Sequence, residues 1–597
     1  MDSEGWLLRG GDALGESRRN GLSAVDYCVV AAYIIIVVVI GTRASSSTAS
    51  AKNYFLAGKG ANRWVAGISL ISGITSGISF IGIPGYTYKN GIAMLSFAGG
   101  FVLAAPFIIF VAIPFFARPE LKFTTSYSYL EARFSRKIRS VSSALFLLRV
   151  IIYMGFVLFA PAVALEAVAE VPVYASVLVT GVLATAYTCK GGMQAVIWTD
   201  FLASITLIAG VSVALAMALS RVEGGGGRLW HSAMRKGWLA PKGFFDNSPL
   251  TTVNFWCMFI GFAFNTAAQS GTDQIAVQRY LATSNVRAAQ VTAAGGLVGN
   301  TCMTVLLVFL GFALYGFYET RQDEVPCDVA HDTDKIFPYY FTNELPSGLA
   351  GMIVAALCAT TMSVFSGGIN AATTCFIIDF VQNHRLFTAR HGSHVNTVKL
   401  AKILTVCFGV LAILIALLAQ YINESLSLVV SVAQAVCCAP VFGIFLLGML
   451  SRRADSVDAG VGLVVCLLFM IYLLVGAAVC TDASPAQPCV NHNSSAPSHS
   501  PSPAPHHSIP AMCNGPLLVA RISQWLYAAV GSATCVLAGT VSMLLRQQQP
   551  PVTKVMGLTW WTRRMGVLAE ARINDHPPPV GEQSESAPLL PESKPIN

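Results

Sequence analysis

Thr360, Ser363, Gly367, Asn370 and Thr374 fall on one stripe, roughly a third of the circumference wide, when their segment is wound as a helix at about 100° per residue. The segment, ATTMSVFSGGIN, lies between the apolar runs GLAGMIVAALC and AATTCFIIDFV. Uncharged hydroxyl and amide oxygens are ligands for a hard cation or partners for a polar solute, and in hydrocarbon they are costly unless paired. Each hydroxyl alone could instead satisfy a carbonyl of its own helix or join two helices. A second stretch, 63–85, reads RWVAGISLISGITSGISFIGIPG. Gly67, Gly73, Gly77, Gly82, Pro84 and Gly85 predict a broken helix there, whose freed carbonyls are oxygen ligands suited to Na⁺, with close helix packing as the other reading. Asp200, in IWTDF, is a carboxylate within an apolar segment, which points to ion or proton handling. Arg149 and Glu166 read as charges that snorkel, pair or sit near a membrane surface.

These residues act together only if the segments around them cross a membrane. The chain of 597 residues is 54% hydrophobic and 11% charged, with a mean hydropathy of +0.60, which excludes a soluble domain of ordinary make-up. Apolar segments long enough to cross about 30 Å of hydrocarbon recur throughout. The reading is an all-α polytopic membrane protein with about thirteen spans. They lie at 24–43, 63–85, 92–116, 140–169, 172–189, 193–221, 252–271, 287–318, 346–382, 397–420, 425–450, 457–480 and 514–545. No nucleotide-binding loop, metal cluster or nucleophile elbow stands out, so neither an enzyme nor a nucleic-acid partner is expected. A gradient is left as the energy source, or there is none.

Basic residues cluster in the loops and flanks at 43–63, 118–139, 384–402 and 452–453, and the loop 319–345 is acidic. The positive-inside rule then places residues 1–23 outside and the polar tail 546–597 inside, in the plasma membrane, although loop 222–251 carries basic residues on the predicted outer side. Loop 481–513, rich in Pro, Ser and His, offers Asn493 as a glycosylation acceptor. Cys327, Cys480, Cys489 and Cys513 lie on or near that side with any pairing open. In the tail, Glu585, Leu589 and Leu590 fit a sorting signal for an adaptor; a featureless tail is the other reading.

The motifs TSYSYLEARFS, YMGFVLFAPAVAL, GGMQAVIWTDFLA, AVQRYLA, AALCATTMSVFSGGINAATTCFIIDF and APVFGIFLLGML, in this order, resemble the sodium/solute symporter family. The likeness runs from about 24 to about 480 and is strongest to the branch with sodium/iodide, multivitamin and monocarboxylate transporters. The resemblance implies a five-plus-five inverted-repeat, LeuT-like core with discontinuous first and sixth core helices. One helix, 24–43, precedes the core, the repeats are 63–221 and 252–450, and two helices follow within 457–545. It implies Na⁺ as coupling ion, no organic cofactor, and a sodium site of carbonyls at Ser72, Thr75 and Thr360 with adjacent hydroxyls, the first being Ser363. The second position is Val364, which offers no oxygen, so Thr360, Thr361, Ser366, a water, proton coupling through Asp200 or uncoupled transport stay open. The family places Asp200 near the ion exit path and, in some members, at a second sodium site. The solute cavity it implies is lined by Ser76, Ser79, Ala98, Phe101, Asn265, Gln269, Ser270 and Gln434. Ser79, Phe101 and Ser270 depart from the iodide-transporting pattern, and sugar-clamping residues are not apparent on 92–116. The expected solute is a small organic molecule, a monocarboxylate or carboxylate-bearing vitamin, met by broken-helix amides and the Ser76 and Ser79 hydroxyls with no arginine in the cavity. A sensor or ion-leak protein of the same fold is the competing class.

Overall fold

The computed structural model describes residues 21–44, 50–117, 123–222, 254–319, 332–382, 397–421, 426–480, 522–546 and 558–560, together with most of 224–250 and residues 321, 326 and 329. Asn493, Cys327, Cys489, Cys513, Glu585, Leu589 and Leu590 lie outside the described residues, as does the side chain of Cys480.

The described chain is almost wholly helical. Its first helix, α1 (Ala24–Arg43), opens with a capping box in which Ser23 and Asp26 satisfy each other's backbone N–H groups. The glycine-rich span then forms two helices, α2 (Arg63–Ile74) and α3 (Gly77–Asn90). Thr75 (φ −72°, ψ 107°) and Ser76 (φ −86°, ψ 164°) are extended between them. Ser76 restarts the helix as an N-cap, its Oγ accepting from the Ser79 N–H at 3.3 Å. α4 (Leu95–Pro106) continues through a π-helical turn to Phe116, followed by α5 (Arg136–Ala169) and α6 (Val173–Ser220).

A second discontinuous helix follows, made of α7 (Phe255–Gly271) and α8 (Gln274–Leu281). Asp273 is the N-cap of α8, with Oδ1 accepting from the Ile275 N–H at 2.9 Å. The sequence reading ended this span at 271; the chain adds a second helical half beyond the break. The remaining long helices are α9 (Val286–Glu319), α10 (Leu349–Cys375), α11 (Thr397–Ala419), α12 (Leu426–Leu450), α13 (Ser456–Cys480) and α14 (Tyr527–Arg546).

Nine helical stretches among the described residues are long and apolar enough to cross a membrane, against about thirteen expected spans. Breaks and mergers account for three of the four; for the fourth, α12, the apolar stretch described is Val436–Leu450. α2 and α7 fall short of that length because their helices are interrupted, and the expected spans 172–189 and 193–221 run on as α6. Within α6 the direction changes at Gly192 (φ 56°, ψ −146°), where a Cβ would stand 2.6 Å from the Tyr54 carbonyl oxygen. Only glycine combines that backbone with that approach.

α10 occupies the centre: every residue from Ile353 to Cys375 is buried, against α6, α5, α1 and α2. Hydroxyls such as Ser72, Ser204 and Thr360 face inward, while Leu418, Val475 and Leu545 on outer helices are exposed. Apolar outside and polar inside is the order a lipid environment selects. Two arginines of the basic segment 118–139 are internal. Arg133 donates to the Gly448 and Ser451 carbonyls, and Arg139 pairs with Asp379 at 2.5 Å and with Glu131. Asp379 also accepts from Thr125 at 2.8 Å and Ser143 at 2.7 Å, which fixes the end of α10 to the start of α5.

Candidate functional site

The last turn of a helix leaves carbonyls without intrahelical partners, and α2 ends in mid-bundle beside α10. Ser72 lies in that turn. Its Oγ is 2.9 Å from Ser363 Oγ of α10 and donates to the Asp200 carbonyl of α6 at 2.8 Å. Ser204, one turn beyond Asp200, adds a hydroxyl 3.1 Å from Ser72 Oγ. Ser72, Ser204 and Ser363 therefore form one buried oxygen cluster joining three helices. Thr75, in the gap, donates to Asn300 Oδ1 at 3.0 Å, and Asn300 Nδ2 donates back to the Leu70 carbonyl at 3.1 Å. Asn300 thus splints the break from α9. Sequence reading missed it, and the available signal was an amide within the apolar span 287–318.

Val364 is buried in an apolar cluster with Phe365 and Ile369. Of the three hydroxyls that could stand in for it, Thr360 bonds carbonyls of its own helix, and Ser366 bonds the Ser363 carbonyl at 3.0 Å. Thr361 also bonds its own helix, at Leu357, but its Oγ1 faces the break: a Cβ on Gly77 would come within 2.9 Å of it.

Asp200 is not the isolated carboxylate its sequence context suggests. Its Oδ2 pairs with Arg279 Nη2 of α8 at 2.5 Å, both side chains being buried. The guanidinium fits between α2 and α10 because Gly73 and Gly367 have no Cβ; one added at either place would lie 2.8 or 2.9 Å from Nη2. Asp200 Oδ1 and Arg279 Nε have no partner among the described residues. Arg279 lies in AVQRYLA, and the sequence reading gave it no role.

The residues expected around the solute form local groups. Ser76 and Ser79 Oγ atoms are 3.3 Å apart at the first break. Ala98 and Phe101 are buried on α4, and the Phe101 ring meets Phe262 edge-on at 5.0 Å. On α7, Gln269 donates to Asn265 at 3.0 Å, and the buried Ser270 hydroxyl has no partner among the described residues. Gln434 of α12 accepts from Arg149 Nη1 at 2.8 Å.

That last contact sets an arginine beside one of the expected solute residues. Arg149, buried on α5 one turn before Tyr153, bonds Gln434 with one Nη and Asp273 with the other. A cavity beside it is lined by Tyr127, Phe146, Ala268, Thr272, Cys437, Cys438 and Val441 as well as by the pair.

The family model of the sodium:solute symporter family matches residues 54–466. The chain belongs to that family. Human sodium-coupled monocarboxylate transporter 1 is 30% identical over 460 residues, 76% of this chain and 74% of that protein. The human sodium/iodide cotransporter is 26% identical over 577 residues, 92% of this chain and 88% of that one. A substrate-bound, outward-open structure of a Na⁺-coupled sialic acid symporter superposes with a TM-score of 0.72, covering 88% of this chain and 99% of its own at 24% identity. The fold is that LeuT-like architecture, and the chain is a multi-pass membrane protein of a transporter family, not an enzyme.

Proposed function

We propose that this family member is a sodium-coupled symporter of a small organic carboxylate, working by alternating access in the plasma membrane. One observation carries the ion half of this reading: the interrupted end of α2 meets the hydroxyl face of α10, with Ser72 and Ser363 Oγ atoms 2.9 Å apart. Na⁺ is held by carbonyls of Ser72, Thr75 and Thr360 and by the Ser363 hydroxyl, with Thr361, which faces the break, making up for the oxygen absent at Val364. Cation binding between α2 and α10 favours an outward-open state. Solute then binds among Ser76, Ser79, Ala98, Phe101, Asn265, Gln269, Ser270 and Gln434, and rocking of the repeats 63–221 and 252–450 releases both inside. The carboxylate assignment is supported by the similarity to a monocarboxylate transporter and by a buried arginine bonded to Gln434.

A second reading is favoured by Val364, whose side chain is packed among apolar groups: the coupling ion is H⁺ carried at Asp200, or transport is uncoupled. Uptake of labelled monocarboxylates, with biotin and iodide alongside, in Na⁺ and in choline buffers at two pH values separates these. Collapse of uptake in choline supports sodium coupling. Uptake indifferent to Na⁺ but raised by acid moves coupling to Asp200. Currents without flux would make the protein a sensor or leak.

The topology belongs to the same proposal, with residues 1–23 outside, the tail inside, Asn493 glycosylated and Glu585, Leu589 and Leu590 read by a sorting adaptor. A glycosidase-sensitive mobility shift that survives Asn493→Gln would contradict the assigned acceptor, and unchanged surface delivery of a Leu589→Ala, Leu590→Ala variant would contradict the sorting signal.

A further inference from the structure

The Arg149–Asp273 pair joins three elements of the solute site: α5, the break between α7 and α8, and, through Gln434, α12. Its two arms are unequal. Nη2 meets a carboxylate that also caps α8, so Asp273 is held twice. Nη1 meets only the neutral amide oxygen of Gln434, at 2.8 Å on a partly exposed side chain. A charged acceptor bonds a guanidinium about twice as strongly as a neutral one. A carboxylate arriving at Nη1 therefore gains by displacing Gln434, whereas displacing Asp273 would break an ion pair and a helix cap together. Tyr127, Phe146 and Val441 wall the small cavity beside the guanidinium.

We infer that Arg149 recognises the carboxylate of the solute through Nη1, with Gln434 as the neutral placeholder it displaces and Asp273 as the fixed counter-ion that limits the site to one negative charge. This rests on the carboxylate reading above and adds a charge rule to it. Asp273 already neutralises Arg149, so a monoanion leaves the occupied site at net −1, a dianion at −2, and a neutral isostere forfeits the exchange at Nη1. The surplus −1 of the monoanion is what a bound Na⁺ offsets.

The test uses the purified full-length protein in NaCl, with butyrate, succinate and butyramide as probes, read by ligand-dependent thermal stabilisation and by uptake into proteoliposomes. Butyrate should bind at least about 30-fold more tightly than butyramide or succinate, the scale on which close charge pairs discriminate. Gln434→Glu places a carboxylate permanently at Nη1 and reproduces the charge of the occupied site. It should fold and lose butyrate affinity by about 100-fold. The double variant Arg149→Gln, Asp273→Asn removes both charges without stranding either and should bind butyrate and butyramide alike. If the wild type binds butyrate and both variants bind it equally well, the inference falls and the symporter reading stands. If no carboxylate stabilises or is transported by the wild type, the carboxylate reading falls and the inference with it.

Discussion

The two helix breaks are built from the same device and hold opposite chemistry. At each, a threonine ends one helix and the next residue, with a short polar side chain, caps the following one: Thr75 and Ser76 between α2 and α3, Thr272 and Asp273 between α7 and α8. Around the first break the groups that hold the gap are neutral oxygens, namely Ser72, Thr75, Asn300 and Ser363, with the closed Asp200–Arg279 pair lodged against Gly73 in the last turn of α2. Around the second they are ions, Asp273 with Arg149. A neutral oxygen cluster has room for one positive charge, and a self-cancelling ion pair with one weakly engaged N–H has room for one negative charge. In the symport proposed above, the cation belongs at the first break and the anion at the second.

The sharpest way to break this contrast is to strand a charge. Asp273→Ala leaves Arg149 buried without its ion partner and should lower stability by about 3–5 kcal/mol, seen as lost expression or a much reduced Tm. Arg279→Leu strands Asp200 in the same way, and Arg279→Leu combined with Asp200→Leu should recover most of the loss. A double variant no more stable than the single would show that the pair is not the cause. Neutral groups at the first break should matter less to folding and more to the ion. Ser363→Ala should raise the Na⁺ concentration for half-maximal uptake about tenfold, or ~1.4 kcal/mol, with little change in Tm. Ser76→Ala removes a cap and should cost about 1 kcal/mol of stability, measured by denaturation of the purified protein. The smallest effect is expected from Val364→Thr, which adds an oxygen beside Ser363 and should lower the half-saturating Na⁺ about threefold, less than 1 kcal/mol. A loss of Na⁺ affinity in that variant would mean that position 364 does not face the ion.

The first break was legible because its signal is local: glycines, a proline and hydroxyls inside one apolar span. The second was less so, because Gln274, Gln278 and Arg279 resemble a solvated loop when read along the chain. Their burial depends on partners far away in sequence. Ser126 N–H donates to Gln274, Gln278 donates to the Phe55 carbonyl and Thr374, and Arg279 pairs with Asp200. Two of those partners, Asp200 and Thr374, were singled out by sequence as functional polar residues, and neither could be matched to its mate. For Arg149 the reading left snorkelling and pairing open for the same reason: the pairing holds, but its mates, Gln434 and Asp273, are far away in sequence. The polar stripe on α10, by contrast, needed only helical periodicity. Ser363, Gly367 and Thr374 do face Ser72, Arg279 and Gln278.

If a cation at the first break offsets the anion at the second, the two must bind with mutual dependence, and equilibrium linkage requires the same factor in both directions. The direct measurement is a two-dimensional titration of the purified protein with Na⁺ and butyrate, read by thermal stabilisation, with choline replacing Na⁺ at constant ionic strength. We predict that saturating Na⁺ tightens butyrate by about tenfold or more and that saturating butyrate tightens Na⁺ by the same factor. Butyrate affinity that is the same in Na⁺ and in choline would contradict the account.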